Sequence, residues 1–313
     1  MKLSIIVPAY NVERYIEKCL KSCLEQDVSY SDFNIIVVND GSSDSSVDVA
    51  ERIAATAENI IVVSQTNKGL SAARNKGLSL ATGDYVWFVD SDDWIEENCL
   101  KNLFPLLDGT DVIHIGHTLV YSDRVVSNVP KVLGTNEDLI RKGFLRPAPF
   151  YVMRRRFLEL NDLKFMDGVF HEDTEFTPRM LYLCGTINIY PYPLYHYLQR
   201  ENSITTTINP KRSFDLLKVA ESLFKFRDER VKDNIKPYFN NLIAGCINAA
   251  LNTISKSKVE DRDNWLTNLK KYRHLLRAMS KSRKIRYKVQ GFVFTIVPTK
   301  AIIKAYKLMS VLK

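Results

Sequence analysis

Between Leu3 and Val89 the chain repeats one pattern: a short, almost wholly apolar run, then a longer stretch whose apolar residues recur at helical spacing. The runs are 3–9, 33–38, 60–63 and 85–89. The stretches between them are 12–26 (Val12, Tyr15, Ile16, Cys19, Leu20, Cys23 and Leu24 on one face), a helix through Val47, Ile53 and Ala54, and 70–80. A run with apolar residues at consecutive positions, interrupted here only by Ser4 and Asn34, reads as a strand covered on both faces, as in a parallel sheet. Strands alternating with helices predict an α/β fold, a doubly wound and mostly parallel sheet. In such sheets ligands bind at the carboxyl ends of the strands. Those ends are chemically unusual here. The first is Pro8-Ala9-Tyr10-Asn11, the second Asn39-Asp40-Gly41-Ser42, and the fourth Asp90-Ser91-Asp92-Asp93. Distant in sequence, they are expected to meet on one rim.

Three carboxylates within four positions repel one another and raise each other's pKa, so a cation is expected beside them. Hard divalent ions take carboxylate oxygens and leave positions open for phosphate. The plainer reading makes Asp92 or Asp93 the cap of a helix beginning near Trp94. In the same way, Asp40 to Asp44 reads as a turn and helix cap, and the remaining ligands of an EF-hand loop are missing.

Beyond Trp94 the pattern predicts a helix over 95–107, a strand over 111–121 with His114 and His117 as core residues, a helix over 136–144, and a loop at 146–149. A helix then opens at His171-Glu172-Asp173, and a strand covers 190–198. From about residue 211 strand signals stop, and helices are expected over 213–231, 237–255, 264–279 and 299–313. The domain reading is therefore 1–208, in two parts (1–110 and 111–208), followed by a helical region, 209–313.

Charge divides the chain in the same place. Thirteen of the 44 Lys and Arg residues lie between Asn264 and Lys313, where there is no Asp or Glu. The remainder holds 31 basic against 36 acidic residues. A mildly acidic body with a basic tail points to an anionic partner surface, and Lys300, Lys304 and Lys307 beside Ile302, Ile303 and Leu308 suggest an interfacial helix at 299–313. No run of 18 apolar residues occurs, and the first residues are too quickly polar for a signal peptide. Five scattered cysteines suit reduced thiols in a cytoplasmic protein.

Pro8-Ala9-Tyr10-Asn11, Val38 to Asp44, Asn67-Lys68-Gly69 through Arg74-Asn75, and Asp90-Ser91-Asp92-Asp93 occur in this order. Together they closely resemble the motifs of inverting family 2 glycosyltransferases with a GT-A fold, over about residues 1–203. The resemblance implies a catalytic GT-A domain with a C-terminal helical extension, and transfer of a sugar from a nucleotide-sugar donor (UDP-linked) to a glycan or lipid-linked oligosaccharide in surface polysaccharide synthesis. It gives Pro8, Ala9, Tyr10 and Asp40 to the base and ribose, and Asn67, Lys68 and Arg74 to the helix facing the nucleotide sugar. By the same resemblance, 1–110 is the nucleotide-binding half and 111–208 the acceptor half, Asp92 is expected to coordinate Mn²⁺ or Mg²⁺, Asp90 to contact ribose or the metal's water shell, and Ser91 to contact the nucleotide. The resemblance makes Asp173 the expected base for the acceptor hydroxyl, with Glu172 touching acceptor or sugar. His196, Arg200 and Ser203 stand near the diphosphate, His196 as a further metal candidate. The tail would hold the enzyme peripherally on the inner face of the cytoplasmic membrane. Nucleic acid is not an expected partner, because no reading motif or stacking platform is present. The alternative is a non-catalytic sugar-nucleotide-binding scaffold of the same fold.

Overall fold

The computed structural model describes residues 1–130, 135–200 and 209–311. The four apolar runs form parallel strands β1 (Leu3–Ala9), β2 (Phe33–Asn39), β3 (Ile60–Ser64) and β4 (Tyr85–Phe88), with β1 paired to both β2 and β4. Every residue of β1 and β4 is buried, as strands covered on both faces require, whereas β3, at the sheet edge, is only partly so. Helices α1 (Ile16–Leu24), α2 (Ser46–Ala54) and α3 (Leu70–Leu80) make the crossovers. The chain steps outward from β1 through β2 to β3, then returns to place β4 on the other side of β1. This reversal opens a crevice at the carboxyl ends of β1 and β4, where open α/β sheets take their ligands.

The sheet continues with shorter, mixed elements. These are β5 (Trp94–Ile95), α4 (Leu100–Leu103), β6 (Val112–Val120), β7 (Val125–Asn128), α5 (Asn136–Lys142), β8 (Tyr151–Arg154), α6 (Arg155–Leu160), α7 (Glu172–Leu183) and β9 (Ile187–Leu198). The nine strands run in the order β3-β2-β1-β4-β8-β6-β9-β5, with β7 paired to β6. β8 is antiparallel to both β4 and β6.

The helix expected over 95–107 is absent in that form. Trp94 and Ile95 pair with His196 and Tyr195 of β9, and the helical turn starts only at Leu100. Its capping group is remote in sequence: Oε1 of Gln26 accepts from the Cys99 and Leu100 amides at 3.0 and 3.2 Å. Likewise the helix expected over 264–279 is two helices, α10 (Val259–Leu269) and α11 (Arg273–Ser280), joined by a 3₁₀ turn at Lys270–Tyr272. The other late helices are α8 (Pro210–Arg230), α9 (Lys236–Ile254), α12 (Ile285–Ile296) and α13 (Ile302–Val311). The Asn209 side chain accepts from the Lys211 amide at 2.9 Å and Pro210 fills the first helical position, which together define the start of α8.

Among the described residues the chain forms two compact units. One comprises 1–130, 135–139, 145–168 and 183–200 and holds the whole sheet; the other comprises 140–144, 169–182 and 209–311 and is helical. All five cysteines are buried and unbridged.

Close packing at the head of β4 has a measurable consequence. A Cβ on Gly83 would lie 2.5 Å from the Ser4 amide nitrogen and 2.6 Å from the Leu3 carbonyl carbon, both backbone atoms that cannot rotate away. Gly83→Ala is expected to lower unfolding free energy by about 2 kcal/mol, as overpacking does. Urea denaturation measures this, and an unchanged midpoint would show that β1 and β4 are not so close.

Candidate active site

The strand-end loops are tied to one another by their own side chains. The Asp40 amide donates to the Ala9 carbonyl at 2.8 Å, joining the ends of β2 and β1. Asn11, in the left-handed region at φ 51°, donates its amide to Ser42 Oγ and accepts from the Ser43 amide through Oδ1. The Asp40 carboxylate reaches the third loop. Oδ1 accepts from Gln65 Nε2 at 2.8 Å and the Lys68 amide at 2.9 Å, and Oδ2 from the Gly69 amide at 2.7 Å. Asp40 is buried, and three of its roughly four acceptor positions are used within the protein. Gly41 meets the same loop closely: a Cβ there would stand 3.0 Å from the Asn67 amide nitrogen. The side chains of Tyr10, Asn67 and Lys68 are left exposed along this rim, with Pro8 and Ala9 buried beneath.

Beside them lies the acidic end of β4. Arg74 projects from α3, only 1% exposed, and donates to Asp90 Oδ1 at 2.7 Å. Arg200, just beyond β9, lies 2.6 Å from Asp92 Oδ2 and over the Tyr15 ring. Ser91 is buried between the two acids. Asp93 caps no helix. It is buried and accepts from Tyr195 Oη at 2.5 Å and the Leu198 amide at 2.8 Å, while Tyr195 Oη accepts from the Asp90 amide at 3.1 Å. Burial, then the charge of Asp90, raises the Asp92 carboxyl pKa above the usual range, with Arg200 opposing. Burial and the two neighbouring aspartates raise Asp93 further. Two arginines therefore supply the positive charge that three clustered carboxylates require.

His196 does not join this group. Its Nε2 lies 2.7 Å from the Glu96 carboxylate, and its ring stacks on Trp94 at 5.2 Å. Among the described residues no three His, Cys, Asp or Glu side chains are arranged to hold a metal ion. The β5–β9 pairing engages His196, expected as a further metal candidate, with its own strand neighbours Trp94 and Glu96. The remaining pair, Asp90 and Asp92, fits the other mode of divalent binding, in which one or two carboxylates share the ion with substrate phosphates. Ser203 lies outside the described residues.

Among the described residues, cavities border the sheet near both ends of its strands. One of about 260 Å³ borders Asp92 and Asp93, walled by Arg14, Lys18, Tyr15 and Trp94. The other, about 400 Å³, is lined by Asp111, Arg154 and Arg156. Because Arg154 is in register with Tyr85, the first residue of β4, this second cavity lies at the opposite end of the strands from the rim.

In the helical unit, Glu172 and Asp173 open α7, where the helix dipole favours negative charge. The approach to this helix is shaped from α8. The Phe170 amide donates to Asp215 Oδ2 at 3.2 Å, Arg212 Nε lies 3.4 Å from His171 Nε2, and His171 adopts φ 67°. Asp215 is itself buried and paired to Lys211 and Lys218. Sequence reasoning nominated the Glu-Asp pair but not Asp215, Arg212, Gln65 or Tyr195. Each acts through a contact between segments far apart in the chain.

A sheet that reverses direction at β1 and β4, with its acidic signature at that crevice, has the layout of a GT-A glycosyltransferase. Residues 4–169 match the profile of Glycosyl transferase family 2, more than half of the chain, and the chain belongs to that family. EpsH of Bacillus subtilis (strain 168) is 32% identical over 244 residues, covering 74% of this chain and 70% of that protein. The poly(ribitol-phosphate) β-N-acetylglucosaminyltransferase TarS of Staphylococcus aureus (strain MW2) is 28% identical over 280 residues, 86% of this chain. The chain spans only 48% of that enzyme's length. The crystal structure of S. aureus TarS 1–349 in complex with UDP-GlcNAc superimposes with a TM-score of 0.77 at 24% identity, covering 99% of this chain and 90% of that one, which shows a shared fold. The protein is therefore a family 2 glycosyltransferase with the GT-A fold and C-terminal helices.

Proposed function

We propose that the enzyme moves a sugar from a UDP-linked donor to a hydroxyl of a glycan or lipid-linked oligosaccharide in surface polysaccharide synthesis, inverting the anomeric centre. The UDP assignment is supported by TarS, solved with UDP-GlcNAc and with UDP. The acceptor class is supported by relatives named for transfer to poly(ribitol-phosphate). The observation that carries the reading is the meeting of the strand-end loops, by way of Asp40, next to the Asp90–Asp92 pair at the reversal of the sheet.

In this reading the Tyr10 ring lies along the base, with Pro8 and Ala9 bordering it, and the last acceptor position of Asp40 faces the base. Asn67, Lys68 and Arg74 line the nucleotide sugar's side, and Ser91 contacts the nucleotide. Asp92 and Asp90 would hold a Mn²⁺ or Mg²⁺ ion, which when bound would supply positive charge to the departing diphosphate. Arg200 leaves Asp92 for a phosphate oxygen, a bidentate partner its planar fork suits. Asp173 accepts the acceptor hydroxyl's proton, and Glu172 orients acceptor or sugar. The basic C-terminal helices place the enzyme on the inner face of the cytoplasmic membrane; no helix among the described residues is long and apolar enough to cross one. The non-catalytic scaffold is disfavoured because both Asp92 and Asp173 are present.

Calorimetric titration with UDP, GDP and CDP tests the donor assignment. UDP is expected to bind at least about tenfold more tightly than GDP, and chelation of divalent ions should weaken it. Equal affinity for all three nucleotides would remove the UDP assignment, and binding indifferent to chelation would remove the metal.

A further inference from the structure

Over the basic C-terminal stretch, the sequence pattern marks 299–313 as the interfacial helix, but the structure turns that helix inward. Ile302, Ile303 and Tyr306 of α13 are all buried. Leu308 of α13 remains exposed, but the continuous apolar face left at the surface belongs to α12. Ile285, Val289, Phe292 and Ile296 are 73%, 46%, 62% and 65% exposed. Their spacing of four, three and four residues stacks them in one narrow strip along the helix.

The strip cannot hide by rolling over. Gln290, Gly291 and Phe294, on the opposite side, are buried, and a Cβ on Gly291 would stand 2.3 Å from the Ser280 amide nitrogen. That backbone contact with the end of α11 fixes the rotation of α12 and holds the strip outward. Arg286 and Lys288, both exposed, flank it on either side, and exposed Lys281, Arg283 and Lys284 precede it. No acidic residue occurs from Asn264 to Lys313 to offset them. An outward apolar strip between cations is complementary to a surface that is apolar inside and anionic at its face.

We propose that the α12 strip is the membrane-contact surface of this enzyme, its apolar side chains lying at the headgroup–acyl boundary and its flanking cations on acidic headgroups. The proposal rests on the membrane placement given above and supplies its surface; it does not depend on donor or acceptor. Charge also bears on why a bilayer is favoured over a second copy of the chain. Two such strips face to face would bring like-charged flanks together.

The full chain is tested by co-sedimentation with phosphatidylcholine vesicles, with and without phosphatidylglycerol. Binding is expected only with the anionic lipid and to weaken at high salt. The double variant Phe292→Ser/Ile296→Ser should bind about tenfold more weakly. Leu160→Ser, which removes an equally exposed apolar side chain from the other unit, should bind as wild type. In Phe292→Trp, emission should shift to the blue on binding and be quenched by brominated acyl chains. Wild-type binding by the double variant, or an unshifted Trp emission, overturns the proposal. So does a dimer in size-exclusion chromatography that the double variant loses, since a second copy would then cover the strip. Transfer to a detergent-solubilised acceptor is measured on the same preparations. Absence of transfer in every preparation counts against the transferase reading, whereas unchanged vesicle binding in the double variant counts against the strip.

Discussion

Asp173→Asn is expected to lower sugar transfer by at least about a thousandfold while leaving nucleotide affinity within about twofold. The amide has nearly the carboxylate's shape but takes up no proton near neutral pH, so the substitution removes the proton-accepting capacity of the proposed base while keeping the side chain's size. The fold should tolerate it. Asp173 is half-exposed in the first turn of α7, where loss of one negative charge costs about 0.3–1 kcal/mol. The backbone entering the helix is held by other groups, the Phe170 amide by Asp215 and the His171 ring by Arg212. The effect should therefore appear in kcat and not in the affinity for UDP. Glu172→Gln makes a useful contrast. Adjacent helical residues point about 100° apart, so the two carboxylates do not act as one pair. If Asp173→Asn kept transfer within about tenfold of wild type while Glu172→Gln lost it, the base would be Glu172.

Local signals reached as far as local causes did. The helix over 70–80 is found at Leu70–Leu80 because Gly69, at φ 90°, breaks the chain direction immediately before it. The four parallel strands begin where apolar runs begin; burial of β1 and β4 on both faces leaves no alternation to misread, and the partly buried edge strand β3 is still apolar from Ile60 to Val63. The loops' meeting on one rim follows from the rule for parallel sheets, not from any single residue. What escaped was set by long-range contacts. Gln26 starts α4 from more than seventy residues away. Tyr195 occupies Asp93 from across the sheet, which is why a plausible helix cap is instead a buried acceptor. His196 reads as a neighbour of the diphosphate in sequence, yet β5–β9 pairing puts Glu96 and Trp94 beside it. On the C-terminal helices, apolar and basic residues mark two faces but not which face turns inward. The tight approach of Gly291 to Ser280 decides that for α12.

Asp92→Asn should separate stability from function in opposite directions. Burial and the charge of Asp90 raise the Asp92 pKa in the folded protein above its value in the unfolded chain, despite Arg200. A carboxyl with a raised folded pKa favours the native state below the ordinary carboxylate range, and that contribution is lost as pH rises through the raised value. At neutral pH the ionised side chain thus works against the fold, and the amide removes that penalty while still accepting from Arg200. The variant is expected to melt no lower than wild type at neutral pH, with the advantage shrinking as pH falls into the ordinary carboxylate range. Transfer should fall by at least about a hundredfold, because the charge proposed to hold the divalent ion is gone. Addition of Mn²⁺ with UDP should raise the melting temperature of wild type and leave the variant unmoved. Equal ligand-induced shifts in both proteins would show that Asp92 holds no metal. A variant that melts well below wild type at neutral pH would show that the Arg200 ion pair outweighs the burial of the charge.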